Sequence, residues 1–245
     1  MKGIKKLFQA TDMTVGEPWK QIIRFTIPML IGNIAQQLYN TVDSIVVGQY
    51  VGDNALAAVG SAMPILNLLL VLFIGISMGA SIMVSQYFGA KQREDLSYTV
   101  GNCILLTAIA VGIIMLLSVV LVRPLLVLLN TPESIIDWCY SYLMIMFLGI
   151  VDCAYYNILS GVLRGLGDAF SALVYLLVST VLNIVLDLLF VAKLGMGVSG
   201  VAWATIIAQA ISAVLCFIRL RKMTDIFDMK IHYMKFHKNY SSQII

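Results

Sequence analysis

The sequence predicts an all-α integral membrane protein, a six-transmembrane-helix bundle. Three observations carry that prediction. Six apolar stretches, about 21–48, 55–84, 97–122, 135–163, 169–192 and 198–218, are each long enough to cross a hydrocarbon core, which takes roughly 20 residues of helix. Only 12% of the 245 residues are charged and 60% are hydrophobic, whereas a soluble domain carries about 25% charge. The basic residues are also sorted by side: fourteen Lys and Arg flank one set of span ends, and only Arg123 and Lys193 flank the other. By the positive-inside rule, both termini and the loops near 91 and 165 are cytoplasmic.

Residues 1–20 read as a polar, basic cytoplasmic segment with no apolar core before a small-residue cleavage site, so the first span is expected to act as its own insertion signal. That span carries Asn33, Gln36, Gln37, Asn40, Asp43 and Ser44 at steps of one, three or four. At 3.6 residues per turn they fall within about one third of the helix circumference, as one stripe. One or two such residues suit interhelical hydrogen bonds; six in a row ending in an acid favour the wall of a wet cavity. Gly52-Asp53-Asn54 opens the second span, which contains Pro64 as the first contains Pro28. These prolines free backbone carbonyls and either hinge or merely kink their helices.

The third span follows Gly89–Arg93 and is read to end at Arg123-Pro124, with Pro132 preceding the fourth. Gly165-Leu166-Gly167-Asp168 separates the fourth from the fifth, and Gly195-Met196-Gly197 the fifth from the sixth. Residues 219–245 read as a cytoplasmic basic linker or tail. A barrel is excluded because alternating segments of about ten residues are absent.

Composition also limits function. The net charge of +3 comes with no basic run interleaved with aromatics, so no nucleic-acid partner is expected. Cys103, Cys139, Cys153 and Cys216 form neither a CxxC pair nor a Cys/His metal spacing and read as small apolar packers. No nucleophile–base constellation is visible, so neither an enzyme nor a cofactor is expected.

The informative residues are acids placed where acids are costly. Asp187 interrupts an almost wholly apolar span, and Asp43 lies near the end of the first. An intramembrane acid faces a bundle interior or a wet cavity and marks an ion or substrate path. At about 1.5 Å per residue, Asp43 lies roughly 34 Å along its helix and Asp187 roughly 28 Å, both in the outer half. Tyr142 and Thr205 lie about 10–12 Å down the fourth and sixth spans, which enter from the outside. Asn183 sits one turn from Asp187 on the same face. These five side chains offer hard oxygen ligands at one depth. The set suits a cation such as Na⁺, or a shared proton, since two close carboxylates in low dielectric cannot both ionise cheaply. It also suits a structural cluster that locks the helices together. Asp152, a third acid within a span, has no evident partner.

Several stretches resemble one family. Pro28–Asp43 and its continuation to Gly60 are similar to the first helix and the start of the second in the MATE (multidrug and toxic compound extrusion) family. Ser85-Gln-Tyr-Phe-Gly-Ala-Lys91 resembles its second-to-third loop, Asn157-Ile-Leu-Ser-Gly-Val-Leu-Arg-Gly-Leu-Gly-Asp168 its fourth-to-fifth loop, and Asn183-Ile-Val-Leu-Asp187 its fifth-helix motif. The resemblance implies a secondary antiporter that expels small cationic amphipathic drugs in exchange for H⁺ or Na⁺. It implies a cation-coupling site on Asp43, Asn183, Asp187 and Thr205, with Tyr142 in the surrounding network. Asn157 matches a polar position near the drug cavity, which the stripe Asn33, Gln36, Gln37 and Asn40 would also line. Family members have twelve helices in two six-helix lobes, so the chain looks like the N-terminal lobe, one lobe of a twelve-helix MATE-type antiporter. Its partners would then be the lipid bilayer and either a second lobe or a second copy. The sequence departs from the family pattern after Asp168, where it reads Ala-Phe-Ser-Ala without the usual proline.

Two rival readings remain. A lipid-linked oligosaccharide flippase of the same superfamily would line its cavity with several Arg or Lys, and none is evident here beyond the span ends. A non-transporting fragment or assembly module would explain a single lobe.

Overall fold

A computed structural model describes residues 17–229 and 231–233 as a helical bundle with no strand among them. Helix α1 spans Pro18–Tyr50, α2 Asp53–Gly89 and α3 Arg93–Leu128. Helices α4 (Glu133–Leu148) and α5 (Ile150–Gly165) form one rod bent by 49° at Gly149. Helix α6 spans Ala169–Asp187 and runs into a π-helical turn, Leu188–Lys193; α7 spans Gly197–Arg221. Each of the six apolar stretches lies within one of these rods. Four rods, and the bent pair as a fifth, are long and apolar enough to cross a membrane. Helix α1, with its polar stripe, is not among them.

The structure changes four local readings. The fourth span is broken at Gly149, where a Cβ would collide with the Ile206 side chain of α7. The fifth ends in the π turn. Arg123-Pro124 does not end the third span: α3 continues to Leu128, and the chain reverses at Asn130, whose φ is +52°. The tail begins after Arg221, and part of it is folded back. Arg93 Nη2 donates to Thr224 O (2.7 Å) and Asp228 Oδ1 (3.2 Å), and Phe227 is buried. Residues 1–16, 230 and 234–245 of the predicted terminal segments lie outside the described residues.

Small residues set the closest helix contact. Gly161-Val-Leu-Arg-Gly165 on α5 faces Ser77 and Ser81 on α2; both pairs are spaced by four, one helical turn. A Cβ at Gly165 would lie 2.7 Å from Ser81 O and 2.8 Å from Val84 Cγ1. The outward faces are apolar: Leu68, Leu116 and Leu128 are each about three-quarters exposed, as lipid-facing residues should be. At the end carrying Arg219, buried Asp168 accepts from Arg219 Nε (2.9 Å) and from Ser171 N (3.1 Å). It thereby caps α6 and ties it to α7.

Candidate functional site

Most buried hydroxyls satisfy themselves within their own helix. Thr99, Thr107 and Thr180 each donate to the carbonyl four residues back, at 2.8, 2.7 and 3.0 Å. The pattern changes where α1, α4, α6 and α7 meet. Asp43 is 7% exposed, and Asn183 and Asp187 are fully buried. With its amide nitrogen turned toward the acids, Asn183 donates to Asp43 Oδ1 (2.8 Å) and to Asp187 Oδ2 (3.2 Å). One amide therefore bridges two carboxyl groups from different helices. The assignment follows from hydrogen-bond logic, since the opposite orientation sets oxygen against oxygen.

Thr205 of α7 and Tyr142 of α4 complete the set expected from depth. Both are buried, and Tyr142 stands within electrostatic reach of both acids. Two neighbours escaped sequence reasoning. Tyr39, one turn before Asp43, is buried and faces Thr205 without closing a hydrogen bond. Gln209, one turn beyond Thr205, also points inward. Asp187 Oδ1, Thr205 Oγ1, Tyr39 Oη and Gln209 Oε1 are all buried without a partner among the described residues. These oxygens fit a hard cation or a hydrogen-bonded proton relay. The signal for both missed residues was the one-turn spacing from residues already singled out.

The cluster adjoins a cavity of about 590 Å³, within the range of drug-sized sites. Asp43, Tyr142 and Thr205 lie on its wall, with Asn183 and Asp187 behind them. Asn33, Gln36, Asn40 and Asn157 line it as expected. Gln37 does not: it is exposed and absent from the wall. At about 100° per residue, the lining positions of α1 fill the sector from Pro28 to Asn33, and Gln37 falls about 40° beyond Asn33. Asp152 is half-buried and also lies off the wall.

Arg164 adds a feature that the sequence reading lacks. Read as a span-end cation, it lines the cavity and donates to Ser160 Oγ (3.3 Å) and Ser77 Oγ (3.4 Å). Helix α5 runs to Gly165, so its last turn still borders the cavity.

Fold and site together define a polytopic helical membrane protein with a buried, amide-bridged acid pair beside a drug-sized cavity. The MatE family model matches residues 28–189, and the chain belongs to that family. Among curated relatives, "Probable multidrug resistance protein YpnP" of Bacillus subtilis (strain 168) is 35% identical over 208 residues, 83% of this chain and 46% of that protein. "Multidrug export protein MepA" of Staphylococcus aureus (strain NCTC 8325 / PS 47) is 24% identical over 227 residues, 92% of this chain and 50% of that protein. A crystal structure of a MATE protein in the bent conformation superposes with TM-score 0.87 at 28% identity, covering 100% of this chain and 53% of that one. An outward-facing multidrug resistance MATE transporter of the MOP superfamily matches equally well, over 52% of its length. The chain thus spans about half the length of the relatives it matches.

Proposed function

We propose that the chain is the N-terminal lobe of a cation-coupled multidrug antiporter, exporting cationic amphipathic compounds across the plasma membrane in exchange for H⁺ or Na⁺. The observation that carries this reading is the pair Asp43 and Asp187 bridged by Asn183 against a drug-sized cavity. Protonation of the pair, or Na⁺ held by Asp43, Asn183, Asp187 and Thr205, changes how α1 and α6 pack, and α6 touches α7 directly. A bound ion shifts such an equilibrium only by its differential affinity for the two packings. The polar wall of Asn33, Gln36, Asn40 and Asn157 then receives the drug. A second lobe, or a second copy related by an axis along the membrane normal, closes the cavity. Arg164 lends some support to a flippase reading, but it is the single cation on the wall among the described residues.

The test is ethidium efflux from drug-sensitive bacteria expressing the chain, beside Asp43→Asn and Asp187→Asn, with membrane insertion checked for each. Where the chain alone is inert, the same substitutions are read with a second lobe supplied. Efflux lost in both variants supports the reading, and an imposed pH or Na⁺ gradient then identifies the ion. Efflux retained at wild-type level in both variants refutes it.

A further inference from the structure

Two charged side chains line the cavity among the described residues, and they stand far apart. Asp43 belongs to the acid cluster. Arg164 lies in the last turn of α5, about 22 Å along the axis from Gly149, which packs beside Ile206, the neighbour of Thr205. The two ends of the cavity therefore differ in sign.

Arg164 sits in a built cradle. Ser77 Oγ and Ser160 Oγ both donate to Asn157 O, at 2.6 and 3.0 Å, and both accept from the Arg164 guanidinium. The hydroxyls fix the guanidinium from one side without neutralising it, and no described ion pair includes it. A guanidinium carries five N–H donors in a planar fork suited to carboxylate and phosphate. Here two of its nitrogens make only long bonds. Holding α2 against α5 does not account for it, because the Gly161 and Gly165 contacts already join those helices. The nearby wall is apolar, with Phe25, Met29, Met78, Ile82 and Leu173.

We propose that Arg164 is the recognition site for one anionic oxygen group, carboxylate or phosphate, on an amphiphile whose apolar body lies along that wall. The amphiphile held here carries that anionic oxygen beside the cationic centre of the proposed substrates, so it is a zwitterion, whether soluble or a membrane lipid headgroup. The proposal rests on the reading of the cavity as a substrate site.

A matched pair of dyes tests it. Rhodamine 110 carries a free carboxylate, and rhodamine 123 is its methyl ester. Binding to the purified full chain in neutral detergent is followed by fluorescence anisotropy. The Kd ratio of ester to acid is expected to fall about tenfold in Arg164→Gln, as loss of a charge-assisted hydrogen bond requires. Arg164→Lys, which keeps the charge, should recover part of it. Displacement of rhodamine 110 by dioctanoyl phosphatidylcholine from wild type, but not from Arg164→Gln, assigns the site to a lipid phosphate; no displacement assigns it to a soluble carboxylate. An unchanged ratio in Arg164→Gln overturns the proposal. So does equal weakening of both dyes in the Gln and Lys variants. Failure of wild type to bind either dye would instead sink the substrate-cavity reading itself, and this proposal with it.

Discussion

Replacing Gly165 with Ala adds one methyl group at a contact between α2 and α5 that backbone closes. That methyl would lie 2.7 Å from Ser81 O, 2.8 Å from Val84 Cγ1 and 3.0 Å from Val84 Cβ. Unstrained carbon–oxygen contacts begin near 3.3 Å and carbon–carbon contacts near 3.5 Å. The nearest atom is backbone, so no rotamer change relieves it, and the helices must separate by about half an ångström or more. Overpacking of this kind costs about 1–3 kcal/mol. Separation also weakens the Ser77 Oγ bond to Asn157 O at 2.6 Å, which adds about 0.5–1.5 kcal/mol. The total of about 1.5–4.5 kcal/mol should lower Tm by roughly 3–18 °C, at about 2–4 °C per kcal/mol for a chain of this size. Thermal unfolding of the purified chain in detergent reads it directly. Gly112→Ala is the control: a Cβ there meets nothing within 4 Å, so the substitution should be neutral or raise Tm slightly through helix propensity. Val84→Ala in the Gly165→Ala background removes the Cγ1 contact but not the Ser81 carbonyl, and should recover only part of the loss. A Gly165→Ala protein that melts within 1 °C of wild type, on a scale fixed by roughly that sensitivity, would refute the claim that this contact is closed.

Two further outcomes follow from particular contacts. Arg219→Met should destabilise the chain by about 3–5 kcal/mol, because it strips the partner from a fully buried Asp168. The double variant with Asp168→Asn should lose less than the single one, a non-additivity that a thermal double-mutant cycle measures. Gln36→Ala should reduce efflux, or drug binding in the purified chain, whereas Gln37→Ala should leave both within twofold of wild type, about 0.4 kcal/mol. Equal losses in the two would show that the stripe on α1 is not divided between cavity and exterior.

The acids were legible because their cost in a membrane is large and independent of context. Asp43 and Asp187 stand out in apolar runs, and the rise per residue puts them at one depth with Asn183, Tyr142 and Thr205. Depth does not fix rotation about the helix axis. The stripe on α1 was therefore readable as a stripe but not divisible, and Gln37 was grouped with Gln36 although only Gln36 faces the cavity. The break at Gly149 was hidden for another reason. Nothing in Met146-Phe-Leu-Gly-Ile-Val distinguishes that glycine from any other, and it is required by Ile206, which is 57 residues away in sequence. Pro124 misled because a proline inside a membrane helix is affordable when neighbouring helices re-satisfy the freed carbonyl. Arg164 was missed because a cation four residues before Asp168 reads as a flank, and only the helix boundary at Gly165 shows that its turn still borders the cavity.

The pattern of unpaired atoms bears on the choice between structural glue and exchangeable site. A buried polar atom left without a partner costs about 1–3 kcal/mol. The helices of this protein generally avoid that cost, as the back-bonded threonines of α3 and α6 do. Among the described residues six buried side-chain oxygens lack a partner, and four of them belong to Tyr39, Asp187, Thr205 and Gln209. Tyr39 and Thr205 stand hydroxyl to hydroxyl and can pair with each other, so what sets the cluster apart is the acid pair itself. Asn183 spends its two donors on the two acids, and Asp187 sits at the junction where α6 gives way to a π turn. Such turns are frequent at functional sites, because they trade regular backbone pairing for a displaced side chain. Two carboxyl groups held by one shared amide at the edge of a cavity suit a site whose proton or cation exchanges, which is what the proposed coupling role requires.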